Sequence, residues 1–251
     1  MTMTSDTGRD VMTVPPGSLD RDVLTALDPV FGQMAAATER HVWALPQLTG
    51  REKIFLCVVA DVCQPSLGIP FETHVRAGLA GGVSTADIRA LLRLISYDSR
   101  YPAAMAAFDR LAEIETAAGL PRPDAEPLPA ELVETGPGAA PTPLPEPIRA
   151  MLRELDPHFA EHFDLQSRMR TGTGPGTLAI RERAFATMSI DVHYQTLEET
   201  FQLHVGRALG SGASHEDLRA VLRFNAQFGV TRAWRAWKAL NAYLATLDPA
   251  S

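Results

Sequence analysis

The sequence writes one pattern twice, and this repetition limits the fold more than any other feature. Residues 71–93 read FETHVRAGLAGGVSTADIRALLR, and residues 201–223 read FQLHVGRALGSGASHEDLRAVLR. Eleven of these 23 positions are identical. LDPVF at Leu27 recurs as LDPHF at Leu155, and REK at Arg51 recurs as RER at Arg181. A repeat of this kind predicts two similar structural units, aligned without a gap from Arg51 to about Arg110 at a displacement of 130 positions.

A proline-rich segment separates the two copies. Residues 120–147 read LPRPDAEPLPAELVETGPGAAPTPLPEP. Proline at this density opposes both helix and strand, so the segment is predicted to be an extended linker. We therefore expect a disordered N-terminus at 1–20, a first repeat at 21–119, a linker at 120–147 and a second repeat at 148–247.

Each copy is predicted to be helical throughout. The apolar residues of REKIFLCVVADVC follow helical spacing, and a second helix is expected from Phe71 to the Gly81–Gly82 pair. Ser84 followed by Asp87 has the form of a capping box, which marks the start of a third helix. Pro102 suits the first turn of a last helix that continues to about Ala118. The expected fold class is all-α, with two tandem helical domains.

Composition and charge exclude several classes of function. The net charge of -7, without a dense basic run, argues against a nucleic-acid surface. No apolar run reaches membrane-spanning length, and the polar N-terminus lacks the apolar core of a signal peptide. Two cysteines cannot build a disulfide framework. We expect a soluble, cytoplasmic protein that binds neither nucleic acid nor membrane.

A histidine in each copy lies on a helical face that is otherwise apolar. His74 and His204 occupy equivalent positions on the face that should pack inward. Asp61 and Asp191 share the apolar stripe of the preceding helix, near its C-terminus, where the helix dipole disfavours negative charge. Each aspartate therefore needs a polar partner, and we expect the aspartate to lie opposite the histidine of its own copy. This arrangement is either an acid–base site or a buried hydrogen bond that joins two helices, and the duplication does not separate these interpretations.

The two copies differ beside these aspartates. Cys63 occupies the position that His193 has in the second copy, which makes both residues candidates for substrate binding. Asp191, His193 and His204 are conceivable metal ligands, but they include no histidine pair at i, i+4, and neither a metal nor another cofactor is predicted. The TGTGPG run at 171–176 lacks the lysine and the preceding strand of a phosphate loop, and a flexible loop is expected there.

With these residues in view, each copy resembles the carboxymuconolactone decarboxylase family, which includes the AhpD-like alkylhydroperoxidases. The resemblance rests on LTGREKIFLCVVADV before FETHVRAGLAGGVSTADIRALLRLISYDSRYPAAMAAF, and it covers about 27–114 and 155–244. It implies helical subunits in hexamers or trimers, with sites between helices at subunit contacts. For a tandem chain it implies a homo-oligomer, a trimer that forms a pseudo-hexamer. The family histidine corresponds to His74 and His204, and the family glutamate to Glu52 and Glu182.

The sequence departs from the family at the positions that define its known reactions. The peroxidase Cys-x-x-Cys positions are Leu67 and Pro70 in the first copy and Leu197 and Thr200 in the second. Pro70 and Thr200 also replace the glutamate that decarboxylases often carry four residues before the histidine. The spacing from the family glutamate to the histidine is about three residues longer than usual. A thiol-dependent peroxidase is therefore disfavoured, and the usual lactone decarboxylation lacks its motif.

These features together predict a cofactor-independent acid–base enzyme, either a lyase or an isomerase/cyclase. Its substrate would be a small cyclic or polyunsaturated organic acid or lactone, and the reaction a tailoring step in specialised metabolism. The histidine would transfer the proton, the aspartate would orient it, and Glu52 or Glu182 would supply a second acid–base group. The second copy, with His193 near His204, is favoured as the working site. The alternatives are a non-catalytic binding or structural protein, and a thiol-redox protein that depends on Cys63.

Overall fold

A computed structural model describes residues 21–172 and 177–247 of the chain. Within these ranges the structure is helical and has no β-strand, as the all-α prediction required. The N-terminal segment 1–20, which was predicted to be disordered, lies outside the described residues. So does most of the TGTGPG loop, of which Thr171 and Gly172 belong to the end of a helix.

The two copies contain the same order of helices. The first copy comprises α1 (Arg21–Leu27), α2 (Pro29–Trp43), α3 (Gly50–Cys63), α4 (Ile69–Ala80), α5 (Thr85–Ser99) and α6 (Tyr101–Ala117). A short helix, α7 (Ala130–Val133), and a 3-10 turn (Gly136–Gly138) follow. The second copy comprises α8 (Glu146–Leu155), α9 (Pro157–Gly172), α10 (Ile180–Tyr194), α11 (Glu199–Gly210), α12 (His215–Asn225), a 3-10 turn (Ala226–Phe228) and α13 (Val230–Leu247).

Local capping explains where several helices begin. The Asp28 carboxylate accepts from the Phe31 backbone N–H at 2.7 Å, and Pro29 occupies the first helical position of α2. The predicted capping box forms at α5, where the Ser84 and Asp87 side chains each accept from the other's backbone N–H. The same box forms at the start of α12, so the repeat preserves the signals that set the helix boundaries.

Helices α3 and α10 lie side by side in the middle of the molecule and run in the same direction. At their N-terminal ends, Arg51 Nε donates to Glu182 Oε1 at 2.7 Å. At their C-terminal ends, Gln64 Nε2 lies 3.1 Å from His193 Nδ1. Because both contacts join like ends, the pair is parallel. Apolar side chains from both copies meet around it, so the copies share one continuous hydrophobic core.

Each copy also covers part of the other. Trp43 at the end of α2 packs edge-on against Phe224 of α12, with ring centroids 5.6 Å apart. In the opposite sense, Phe163 of α9 packs edge-on against Tyr97 of α5 at 6.2 Å. Helices α2 and α9 therefore each pack against a helix of the other copy.

Three boundaries differ from the sequence prediction. Helix α4 begins at Ile69, ahead of Phe71, because Pro70 fits the first turn of a helix. The 120–147 segment contains α7 and the 3-10 turn, and it contacts α9 where Arg168 Nη2 donates to the Glu134 carbonyl oxygen at 2.8 Å. The two copies do not align without a gap as far as Arg110. Helix α6 begins at Tyr101 and the equivalent α13 at Val230, which are 129 positions apart instead of the expected 130.

Candidate functional site

Both histidines lie opposite the expected aspartates. His74 Nδ1 is 2.6 Å from Asp61 Oδ2, and His204 Nδ1 is 2.6 Å from Asp191 Oδ2. All four residues are buried, with exposed fractions of 3% to 7%. Each pair joins the C-terminal end of one helix, α3 or α10, to the next helix, α4 or α11. The inward-facing histidine and its acidic partner were therefore predicted correctly from helical spacing.

The geometry fixes how each histidine ring is used. An ionised carboxylate only accepts hydrogen bonds, so it holds the proton of the ring on Nδ1. The second nitrogen, Nε2, then carries the free lone pair of the neutral ring. Asp191 is held more firmly than Asp61, because its Oδ1 also accepts from Thr196 Oγ1 at 2.7 Å. The second copy thus orients its histidine through a carboxylate that is itself oriented.

In the first copy, the Cys57 thiol lies beside the Asp61–His74 pair. Burial raises the pKa of Cys57, although the charge and hydrogen bond of His74 act in the opposite direction. Burial also raises the pKa of Asp61 against the hydrogen bond from His74. Burial opposes the charge on His74, but hydrogen bonds with Cys57 and Asp61 and the charge of Asp61 outweigh it, and the pKa of His74 is raised. The first pair therefore retains its shared proton, and Cys57 stays a neutral thiol.

His193 and Cys63 do not join the Asp–His pairs. His193 follows Asp191 by two residues, which places it about 200° away around α10. Its Nδ1 lies against the Gln64 amide, its ring packs near Phe228, and its buried Nε2 has no hydrogen-bond partner among the described residues. Burial lowers the pKa of His193 to about 4, so the ring is neutral near pH 7. His193 belongs to the contact between copies and lies apart from His204.

Cys63 occupies the equivalent place on α3. Burial raises the pKa of Cys63 to about 12, against a hydrogen bond with Tyr194. A thiol with this pKa is protonated near pH 7 and is a poor nucleophile. The environment of Cys63 therefore disfavours the thiol-redox alternative.

Glu52 and Glu182 lie at the far ends of the central helices from the histidines. Glu52 precedes Asp61 by nine residues, about 13.5 Å along the axis of α3. One Glu52 oxygen accepts from the Thr49 backbone N–H at 2.7 Å, and the other accepts from Arg181 Nε at 2.7 Å. Glu182 makes the matching contacts with the Ala179 backbone N–H and Arg51. The structure thus uses both glutamates to cap helices and to join the two copies.

A cluster of charged residues near His204 was missed by sequence reasoning. Arg170 of α9 approaches Asp98 of α5, with Nη2 and Oδ2 at 3.1 Å, and its guanidinium lies 4.8 Å from the centre of the Tyr97 ring. Arg183 of α10 donates to the Arg170 carbonyl oxygen at 3.2 Å. Burial raises the pKa of Asp98, whereas the charges of Arg170 and His204 lower it. Comparing the copies position by position would have signalled part of this cluster, since Arg183 corresponds to Lys53.

A cleft opens next to this cluster. It has a volume of about 370 Å³ and lies between the α5–α6 turn and α9. Tyr97 lines the cleft and also contacts Arg170, so the cleft adjoins the charged cluster. Its walls are largely aromatic, with a few polar side chains: Ser96, Tyr97, Arg100, Tyr101, Phe159, His162, Phe163 and Gln166.

The described residues contain neither a membrane-spanning helix nor a metal-binding cluster. Over residues 21–172 and 177–247, the helices are too short or too polar to cross a bilayer. The same part of the chain contains no group of three or more His, Cys, Asp and Glu side chains arranged to hold a metal ion.

The chain was compared with known proteins. No family profile and no curated protein matches it. Among solved structures it is similar to a protein from Burkholderia xenovorans LB400 that is described provisionally as a gamma-carboxymuconolactone decarboxylase subunit. That likeness has 22% sequence identity and a TM-score of 0.46, and it covers 92% of this chain and 91% of that chain.

Proposed function

We propose that the chain is a cofactor-independent acid–base enzyme of the carboxymuconolactone decarboxylase type, acting at His204. The supporting observation is the buried bond of 2.6 Å between His204 Nδ1 and Asp191 Oδ2. The reaction is that of a lyase or an isomerase/cyclase. Its substrate is a small cyclic or polyunsaturated organic acid or lactone, processed in specialised metabolism.

The proposed chemistry is proton transfer at carbon. In isomerisation or ring closure, His204 Nε2 removes a proton next to a carbonyl or carboxyl group, and the electron pair moves onto that oxygen as an enolate. The same nitrogen returns the proton at another carbon. In decarboxylation, the electron pair of the broken C–C bond remains on the substrate and takes up the proton that His204 donates. Asp191 stabilises the imidazolium in both cases.

Several contacts favour the second copy as the working site. Thr196 holds Asp191, whereas the equivalent Ser66 donates its hydroxyl to the Gln64 carbonyl oxygen at 3.2 Å. Asp98 lies near the second pair, so groups from both halves of the chain can act on one substrate. We assign the first pair a structural role, in which Asp61 and His74 hold α3 against α4.

Hydrogen exchange at carbon tests this function across a panel of candidate compounds. We would incubate unsaturated lactones and carboxylic acids in D₂O and follow the loss of C–H signals by ¹H NMR. The native protein should accelerate exchange for at least one compound. His204→Gln should reduce that rate at least about a hundredfold, whereas His74→Gln, as the matched control, should retain most of it. Equal rates for both folded variants and the native protein would overturn the assignment.

The second candidate is a non-catalytic binding protein. The burial of both Asp–His pairs favours it, because a buried pair can serve only to join two helices. In that case the native protein accelerates no exchange, and the His74→Gln and His204→Gln variants lose similar amounts of stability in urea unfolding.

We also propose that copies of this chain associate through α6 and α13. Tyr101 and Met105 are exposed on α6, and the equivalent Val230 and Trp234 are exposed on α13. Beyond these apolar residues the charges are opposite. Helix α13 carries three exposed cations and no acid: Arg232, Arg235 and Lys238. Helix α6 presents the exposed carboxylates of Asp109 and of Glu113, which also pairs with Arg110 of its own helix. An α6 face therefore fits the α13 face of another chain, which generates a ring if the rotation closes, as in the expected trimer.

We propose a cytoplasmic location from the state of the two cysteine thiols. Cys57 and Cys63 are both free and buried. Free thiols persist in a reducing compartment, which agrees with the expectation from the cysteine content.

A further inference from the structure

We infer that the second copy contains a carboxylate-binding site formed by Arg170, Arg183 and Arg207, and that the first copy has no equivalent. The site would bind the carboxylate of a flat, unsaturated organic acid and hold its body near His204. Carboxylate binding follows from the cluster itself. Only the choice of His204 as the reacting group rests on the proposed function.

The three arginines come from α9, α10 and α11, and Arg183 Nη2 donates to the Arg170 carbonyl oxygen at 3.2 Å. Burial and the charges of Arg170 and Arg207 lower the pKa of Arg183. Partial desolvation and the charge of Arg170 also lower the pKa of Arg207, although Arg207 reaches the surface. Asp98 opposes this effect in part, because its charge raises the pKa of Arg207. Like charges held this close repel one another, and an anion bound among them relieves the repulsion.

The cluster is placed to deliver a ligand to the Asp–His pair. Arg207 lies three residues after His204 on α11, so both side chains lie on one face of that helix. Arg183 precedes Asp191 by eight residues, about 12 Å along α10, so Arg207 is the arginine closest along the chain to the Asp–His pair. Asp98 contacts Arg170, with Oδ2 and Nη2 at 3.1 Å, and the charge of His204 also lowers its pKa. A small acid held by Arg207 therefore has its carbon atoms on the face of α11 that carries His204.

The first copy has replaced all three arginines. Lys53 stands where Arg183 does, and its ammonium group donates to the backbone carbonyls of Trp43 and Leu45 at 2.6 and 2.7 Å. Ala77 corresponds to Arg207 at the same displacement of 130. Before the TGTGPG loop, equivalent residues of the two copies are 128 positions apart, so Val42 corresponds to Arg170. The site thus exists once per chain, on the side that retains the better-oriented histidine.

The composition of the surroundings favours a carboxylate on an unsaturated body. A guanidinium is planar and matches the two oxygens of a carboxylate with two parallel hydrogen bonds. Tyr97 lies against Arg170 and lines the adjoining cleft, where Phe159 and Phe163 add aromatic surface. Solvent reaches the cluster, because the Asp98 side chain is 23% exposed. A small ligand can therefore enter and lay a flat apolar face on these rings.

Calorimetric titration with benzoate tests the site. Benzoate carries one carboxylate on a flat ring, and benzamide is its neutral analogue of the same shape. We expect benzoate to bind once per chain and at least about tenfold more tightly than benzamide, because charged hydrogen bonds are strong. Arg207→Gln should weaken benzoate binding about tenfold or more. The matched control, Arg76→Gln at an exposed position of α4, the first copy's equivalent of α11, should leave it unchanged.

Further variants separate this site from the acid–base function. His204→Gln should still bind benzoate. If this variant binds benzoate but no longer catalyses hydrogen exchange, the carboxylate site stands and His204 is confirmed as the reacting group. Arg183→Lys, which copies the first repeat, should weaken binding in a protein of native helix content. The inference is overturned by two equivalents of benzoate per chain, by equal affinities of Arg207→Gln and the native protein, or by tighter binding of inorganic phosphate than of benzoate. Absence of benzoate binding up to millimolar concentration also overturns it.

Discussion

Arg51 Nε donates to Glu182 Oε1 at 2.7 Å, and the same bond of the same length runs from Arg181 to Glu52. Each arginine also contacts the capping aspartate of its own copy, at 2.7 Å for Asp87 and 3.0 Å for Asp217. The guanidinium groups therefore join the starts of four helices, two from each copy. These reciprocal bonds fix the parallel pairing of α3 with α10, and that pairing brings the two Asp–His pairs to the same end of the molecule.

This network predicts that Glu52 contributes to stability and not to proton transfer. Glu52→Gln keeps the shape of the side chain but removes the charge that Arg181 contacts. The free energy of unfolding should fall by about 1–3 kcal/mol, measured by urea titration. Hydrogen exchange at carbon by the folded variant should stay within about twofold of the native rate. Loss of exchange at unchanged stability would restore Glu52 as an acid–base residue.

Asp191 should be more important for activity than Asp61. Asp191→Asn presents an amide to His204 Nδ1, which permits the wrong ring tautomer, and hydrogen exchange should fall at least about tenfold. Asp61→Asn in the first copy is the matched control and should leave the rate nearly unchanged. Both rates are measured by NMR on protein whose helix content is native by circular dichroism. A larger loss in Asp61→Asn would move the working site to the first copy.

Burial of His193 predicts a loss of stability in mild acid. The pKa of His193 is lowered to about 4 in the folded chain, against about 6.5 when unfolded. Between these values the unfolded chain binds the proton and the folded chain does not, so stability falls as pH falls from about 6.5 towards 4. Native protein should lose about 2–3 kcal/mol more than His193→Gln between pH 7.5 and pH 4.5.

Urea titrations at the two pH values measure this difference. His74 does not interfere, because both proteins contain it and its raised pKa changes their stabilities equally. His158→Gln, at an exposed position of α9, is the control and should follow the native protein. Equal acid sensitivity of His193→Gln and native protein would show that His193 is protonated in the folded state.

Self-association should depend on complementary charges at α6 and α13. Trp234→Glu should shift the native assembly towards single chains in sedimentation velocity. Asp109→Lys alone should weaken association, and the double variant Asp109→Lys with Lys238→Asp should recover it, because the exchange restores opposite charges across the interface. A native protein that sediments as a single chain at tens of micromolar would contradict the proposed assembly.

The sequence by itself determined the local structure and one part of the site. Helical spacing, the capping boxes at Ser84 and Ser214 and the repeat together predicted an all-α fold. The same spacing placed His74 and His204 opposite their aspartates. These features depend on residues within about two helical turns or on adjacent helices, where the period of 3.6 residues per turn fixes which side chains share a face.

Only the tertiary structure decided which distant side chains meet. Glu52 and Glu182 were predicted to be acid–base groups, but the parallel pairing of α3 with α10 makes them ion-pair partners between copies. His193 was placed near His204 by its position in the chain, yet it points away around α10. Arg170 meets Asp98 because α9 packs on α5 of the other copy. Such contacts depend on how helices from the two halves pack, and the periodicity of a single helix does not encode that packing.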